Sequence, residues 1–266
     1  NANVKRHSCK EQSGLTVNRL TMKLEAGQRG AQLTELSLQT PNSQLRVDSI
    51  SATYDRAQLK HTLKFKGTVS PSIITTSDIA PILQKLKNYN KSFKLQADFN
   101  GTGNGLVVPS LAVSTQQGDV NLRASGQLTD WEHPSVAVQV DQLSVEGQAL
   151  AEVSNQLVSL PDPLLRIGDI NSLKGNFLRN NDGSMKATGE AQTDAGAIDA
   201  SFNLNADKQF SGQLADDRFG RLAAQLQLTG TLNQSIAAKG RVNTFCYQGY
   251  DYTGIELEGG YSKNNI

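Results

Sequence analysis

The sequence predicts an all-β fold, a meander of short antiparallel strands that presents one apolar face along its length. Three observations carry that prediction. Apolar and polar residues alternate with period two in one segment after another, the pattern of a strand with one covered and one solvated face. Turn-forming clusters interrupt those segments about every ten residues. The composition agrees: of 266 residues 37% are hydrophobic, 6% aromatic and 19% charged, and the mean hydropathy is −0.41. Such a balance suits strands that each give only alternate residues to a core. The chain is long enough to bury a sizeable core without disulfide staples.

In chain order, the alternating apolar residues are Leu36 and Leu38, Leu45 and Val47, Leu63 and Phe65, then Phe93, Leu95, Ala97 and Phe99. They continue with Val120, Leu122 and Ala124, Val136, Val138 and Val140, Ala200, Phe202 and Leu204, and finally Leu222, Ala224, Leu226 and Leu228. The separating turns fall at Ala26-Gly27, Pro41-Asn42-Ser43, Gly101 to Gly105, Gln117-Gly118, Asn181-Asp182-Gly183, Ala195-Gly196 and Leu232-Asn233. Two segments depart from period two. Over 77–88 the residues Ile79, Ile82, Leu83 and Leu86 have helical spacing, Ser77 stands as a cap, Asp78 faces the positive helix end and Pro81 falls in the tolerant first turn. Over 147–160, Leu150, Val153, Leu157 and Leu160 repeat that spacing before Pro161 and Pro163 stop it. Two short helices are therefore expected.

Thr115 to Val120 matches Thr193 to Ile198 in spacing, and Ser125-Gly126-Gln127-Leu128 recurs as Ser211-Gly212-Gln213-Leu214. This suggests one elongated, repeat-like domain in which each unit packs mainly on its neighbours, with sub-units of roughly 1–76, 77–147 and 148–266.

Chemistry is sparsely provided for. His7, His61 and His133 are the only histidines, and none stands near a nucleophile motif. Gly101-Thr102-Gly103-Asn104-Gly105 lacks dinucleotide-loop spacing and precedes a strand-like run, so it reads as a glycine-rich hairpin. Asp216-Asp217 reads as a solvated turn, and the sequons at Asn90, Asn100 and Asn233 as chance in an Asn- and Ser-rich chain. Cys9 and Cys246 read as incidental, not as a disulfide or metal pair. No enzyme activity, cofactor or metal site is expected.

The formal net charge of +1 argues against a nucleic-acid binder. Charge is nevertheless uneven. From Arg56 to Gln96 Lys and Arg outnumber acids by seven, with Asp78 the one acid, whereas from Asp182 to Asp217 acids outnumber bases by five. The favoured reading of the basic stretch is a solvated strand face, because Lys64 and Lys66 alternate with Leu63 and Phe65. The sharper one is attraction to anionic headgroups or an acidic partner. No apolar run approaches bilayer length, the first ten residues have no apolar leader core, and the chain reads as an excerpt of a longer protein.

Three stretches resemble the AsmA-like superfamily of bacterial envelope proteins, in particular its TamB (translocation and assembly module) branch. The first is Glu11 to Val17 with Leu20, continuing through Leu33 to Leu38 and Thr40-Pro41-Asn42-Ser43-Gln44-Leu45. The second is Ser77-Asp78-Ile79-Ala80 to Leu83, similar to a short helix opening with Asp. The third is Leu226 to Leu232 followed by Tyr247 to Gly259, similar to a Tyr- and Gly-marked strand pair. The resemblance implies a sheet curled into a groove with an apolar interior, holding phospholipid acyl chains and carrying them between inner and outer membranes. It places the chain in the periplasm of a Gram-negative cell, tied to the inner membrane by an anchor outside this sequence. The alternative it implies is a scaffold that assists outer-membrane β-barrel assembly or secretion by strand pairing. The expected lining is Leu36, Leu38, Leu45, Val47, Leu63, Phe65, Leu95, Phe99, Val120, Leu122, Val136, Val138, Phe202, Leu204, Leu226 and Leu228.

Overall fold

Strands dominate the chain, as the alternation predicts. A computed structural model describes residues 2–10, 14–156, 167–217, 222–247 and 250–262. Two compact units divide it: Asn1–Glu132 with Gln148–Leu160, and His133–Gly147 with Pro161–Ile266. The first unit holds β1 (Ala2–Lys10), β2 (Thr16–Ala26), β3 (Gly30–Gln39), β4 (Gln44–Thr53), β5 (Lys64–Thr75), β6 (Ser92–Thr102), β7 (Gly105–Thr115) and β8 (Val120–Thr129). The second holds β9 (Ser135–Val145), β10 (Ile170–Arg179), β11 (Met185–Thr193), β12 (Gly196–Leu204), β13 (Gln209–Asp217), β14 (Leu222–Thr231), β15 (Ser235–Tyr247) and β16 (Tyr250–Ser262). Within each unit every strand pairs antiparallel with its sequence neighbours, and among the described residues neither unit's sheet closes on itself into a barrel. Each turn cluster found in the sequence lies at a hairpin end. The Asp216-Asp217 pair is strand and not turn: it ends β13, opposite Ala224 and Ala223, because the ladder runs two residues further than the charge pattern suggests.

Among the described residues three short helices form where two were expected: α1 (Leu59–Thr62), α2 (Thr76–Ile79) and α3 (Gly147–Gln156). The helix expected over 77–88 is only the single turn of α2, followed by a 3₁₀ turn at Gln84–Leu86. Its start is the reason. Helical geometry begins at Thr76, so Pro81 lies beyond the first turn, where its missing N–H and its ring against the carbonyl four residues back end a helix. Asp78 is not free to serve the helix end, because the β3–β4 turn takes both its oxygens. The unforeseen α1 follows a 3₁₀ turn at Arg56–Gln58 whose cap is Asp55, accepting from Ala57 N at 2.9 Å. Leu63 thereby becomes the helix C-cap and not a strand residue. The second predicted helix starts at Gly147 as expected; 157–160 lie outside the described residues.

Helical inserts fall between β5 and β6 and again between β9 and β10, and the two Thr hairpins join β7 to β8 and β11 to β12, four strands apart in each case. Ser125 to Leu128 and Ser211 to Leu214 lie on β8 and β13, five strands apart where the helical inserts and the Thr hairpins recur at four, so that match is out of step with them.

Register settles which residues share a face, since directly paired residues point the same way. In the first unit Leu36, Val47, Val69, Ala97, Leu111 and Ala124 form one row across six strands. Ala31, Ala52, Phe65, Gly101, Leu106 and Leu128 form another. In the second unit a row runs Val138, Phe177, Ala187, Phe202, Gly212, Leu228 and Ala238. The intervening rows are polar, for example Lys66 with Asn100, and Gln213 with Gln227 and Lys239. Pro71 and Pro109 sit where the ladder shifts, between Val69 and Ser72 and between Val108 and Leu111, positions that need no ladder N–H.

Candidate functional site

The candidate site is the apolar face of each unit's sheet. Among the described residues substantial strand contacts run only between sequence neighbours, no second sheet lies on these rows, and no side chain is fully buried. Of the expected lining, Val47 and Leu204 are buried. Leu36, Leu38, Leu45, Leu63, Phe65, Leu95, Phe99, Val120, Leu122, Val136, Val138, Leu226 and Leu228 are half-buried, and Phe202 is exposed. Pairings join Leu36 to Val47, Leu38 to Leu45, Val138 to Phe202 through Phe177 and Ala187, and Leu228 to Phe202 through Gly212. Those lining residues and their partners thus form rows within each unit, whereas Leu63, the C-cap of α1, stands outside the ladder. Sequence reasoning missed Leu106, Leu111 and Val113, because the bulge at Pro109 breaks their alternation, and Phe177 and Phe210, because glycine and charge take the alternate positions on either side of them, Gly175 with Arg179 and Lys208 with Gly212.

Glycine is part of this surface. Phe65 pairs with Gly101 and Gly67 with Phe99, reciprocally across β5 and β6, with ring centroids 6.3 Å apart. A Cβ on Gly67 would stand 2.5 Å from the tip of the Phe99 ring and 2.9 Å from the Ser49 carbonyl. Phe210 likewise covers Gly230, where an added Cβ would meet the ring at 2.9 Å. Rings lying over glycine keep the face thin. Phe65, Gly101, Leu106 and Leu128 also line a hollow of about 540 Å³.

One end of each meander is clamped. In the first unit the buried polar residues Thr40, Thr75, Thr76, Asp78 and Thr115 gather at the β3–β4, β5–β6 and β7–β8 connections. Asp78 accepts from Thr40 Oγ1, from Ser43 Oγ at 2.7 Å, and from Asn42 N and Nδ2 at 2.9 Å each. Burial alone raises the Asp78 pKa, but these donors outweigh it and hold the carboxyl below its ordinary range. Two segments distant in sequence, Thr40 to Leu45 and Ser77 to Leu83, therefore meet at one carboxylate. A second clamp joins Lys91 Nζ to Asp119 at 3.3 Å and to Glu152 of α3 at 2.7 Å. Glu152 above all raises the Lys91 pKa, and the Thr115 hydroxyl leads in lowering that of Asp119. In the second unit Asp169 Oδ1 accepts from Gly147 N at 2.7 Å, and Asp194 accepts from Asp169 N at 3.0 Å. Lys91→Met is expected to speed amide exchange across α3 about tenfold, the equivalent of one charge-assisted hydrogen bond. Exchange unchanged in α3 would assign the anchoring to the buried Ala149 instead.

Gly101 to Gly105 is the hairpin expected: β6 ends at Thr102, β7 begins at Gly105, and Gly103 N donates to the Leu63 carbonyl at 3.0 Å. His61 and His133 are exposed, in α1 and the β8–β9 connection. Among the described residues no three His, Cys, Asp or Glu side chains gather as a metal site, and no helix is long and apolar enough to cross a membrane. The side chains of His7, Cys9 and Cys246 lie outside the described residues. No protein-family model, curated protein or solved structure matches the chain.

Proposed function

We propose that the chain is a segment of an AsmA-like, TamB-type envelope protein whose apolar face forms a groove for phospholipid acyl chains. The lipid moves along it through the periplasm between the inner and outer membranes, and an anchor outside this sequence ties the protein to the inner membrane. The observation that carries this reading is the set of unbroken, half-exposed apolar rows in each unit. Apolar surface of that extent is normally covered or used. Acyl chains gain about 0.8 kcal/mol per buried CH₂ through non-directional contacts, so a lipid is held yet slides between similar positions. No catalytic group is needed, and the headgroup stays in water. A second reading, a scaffold that pairs with strands of outer-membrane β-barrel clients, draws on β16, a 13-residue strand with Tyr250, Leu257 and Tyr261 exposed.

Native mass spectrometry with lipid extraction, on the chain purified from a Gram-negative envelope without added detergent, tests both. Bound phospholipid is expected, lost in Leu122→Asp and Val138→Asp and kept in the outer-face variant Lys64→Glu. A lipid-free monomer overturns the groove. Client capture abolished by a proline in β16 would then favour strand pairing.

A further inference from the structure

Between β5 and β6 the chain leaves the sheet as a stalk with an apolar tip. The base is firmly built. Thr76, Asp78 and Tyr89 are buried, Thr76 N donates to the Lys91 carbonyl at 2.9 Å, and Lys91 N donates to Thr76 Oγ1 at 2.9 Å. The Tyr89 ring lies 6.4 Å from Phe93 of β6, and Asp78 ties the base to the β3–β4 turn. Beyond the base, Pro81 ends α2, and the amides of Ile82 and Leu83 both donate to the Ile79 carbonyl at 2.9 Å. That fold holds the backbone in while the side chains of Ile82 and Leu83 stand 56% and 53% exposed.

The charge around this pair is one-sided. Lys85 and Lys87 are exposed and make no ion pair with a described residue. From Ile79 to Asn90 there is no acid. Asp78 is occupied by its donors, and Lys91 by Asp119 and Glu152. Among the described residues, two neighbouring aliphatic side chains therefore stand exposed beside two ammonium groups that have no ion-pair partner.

We propose that this tip docks the chain on an anionic membrane surface, with Ile82 and Leu83 in the interfacial zone and Lys85 and Lys87 on headgroup phosphates. Aliphatic groups gain from leaving water at that depth, while lysine stems extend so that their charges stay at the phosphates. A protein partner is the weaker fit, since a specific protein interface needs a far larger complementary area than two side chains supply, whereas a fluid interface shapes itself to a small protrusion. The inference goes beyond lipid carriage and requires only the tip, not the apolar rows.

Co-sedimentation of the chain with large vesicles of phosphatidylglycerol and phosphatidylcholine, against vesicles of phosphatidylcholine alone, tests it. Binding is expected to the anionic vesicles only and to weaken with salt. Lys85→Gln with Lys87→Gln should lower the partition coefficient about thirtyfold, from the usual contribution of one lysine near an anionic surface. Ile82→Ser with Leu83→Ser should lower it at least tenfold. With the single Trp131 replaced by Phe, Ile82→Trp should report the interface directly, its emission shifting to the blue on vesicle addition. Lys64→Gln with Lys66→Gln, and Leu122→Asp, should bind as the unaltered chain does, which separates this contact from the groove. Tip variants that bind normally overturn the proposal. So does a chain that ignores anionic vesicles, leaving an acidic protein as the tip's partner.

Discussion

Asp78→Ala is expected to destabilise the chain by about 3 kcal/mol, read as a lower urea midpoint at unchanged slope. The carboxylate is 8% exposed and receives donors from Thr40, Asn42 and Ser43, residues about three dozen positions earlier in the chain. Hydrogen bonds to a buried charge contribute more than neutral ones, and truncation leaves the Thr40 hydroxyl and the Asn42 amide without their acceptor. Asp78→Asn, which keeps one carbonyl acceptor, should lose roughly half as much. The same carboxylate sets an acid limit. Its folded pKa lies below the ordinary 3.8, so its stabilisation is fully present above pH 3.8 and is lost as the pH falls through the folded value. Stability of the unaltered chain should therefore drop more steeply below pH 3.8 than that of Asp78→Asn. An unchanged urea midpoint for Asp78→Ala would remove the clamp from the account.

Gly101→Ala should destabilise by about 2 to 3 kcal/mol, at the upper end for one added methyl group, because little around it can yield. Its new Cβ would overlap the Phe65 ring and stand 2.6 Å from the Gly105 carbonyl oxygen. The ring can rotate away, but the carbonyl belongs to the paired strand β7. Combining Gly101→Ala with Phe65→Leu should recover about 1 kcal/mol relative to the sum of the single changes, the coupling expected of residues in contact. Strict additivity would mean that the ring does not lie over the glycine. In the groove reading, the displaced ring also stands up from the face, so bound phospholipid should fall together with stability.

How much of this was legible follows from particular residues. Alternation at Phe93 to Phe99 assigned a strand and its more buried side, because a strand's period of two is a local property, and at Ala200 to Leu204 it assigned the strand, while Ala200 and Phe202 stand exposed. Hairpin positions were legible for the same reason, since Asn181-Asp182-Gly183 and Gln117-Gly118 supply the positive φ their turns use, at Gly183 and Gly118. Helical spacing at Ile79 to Leu86 misled. It described a possible helix, while the start at Thr76 and the engagement of Asp78 by a distant turn decided against one. Leu63 misled in the same way, its alternation with Phe65 overridden by the Asp55 cap that begins the preceding helical turns.

The succession of strands, the apolar side of those whose alternation is unbroken, and the run without acids between β5 and β6 were determined by the sequence by itself, each being fixed by residues within a few positions of one another. The tertiary structure alone decided that Phe65 lies over Gly101, that Thr40 and Asp78 share a clamp, and that Lys91 holds α3. It alone decided, too, that Ile82 and Leu83 project while Tyr89 is buried. Those outcomes depend on cross-strand register and on which polar groups find partners across dozens of residues, and a local pattern carries no information about a contact made after the chain has folded back on itself.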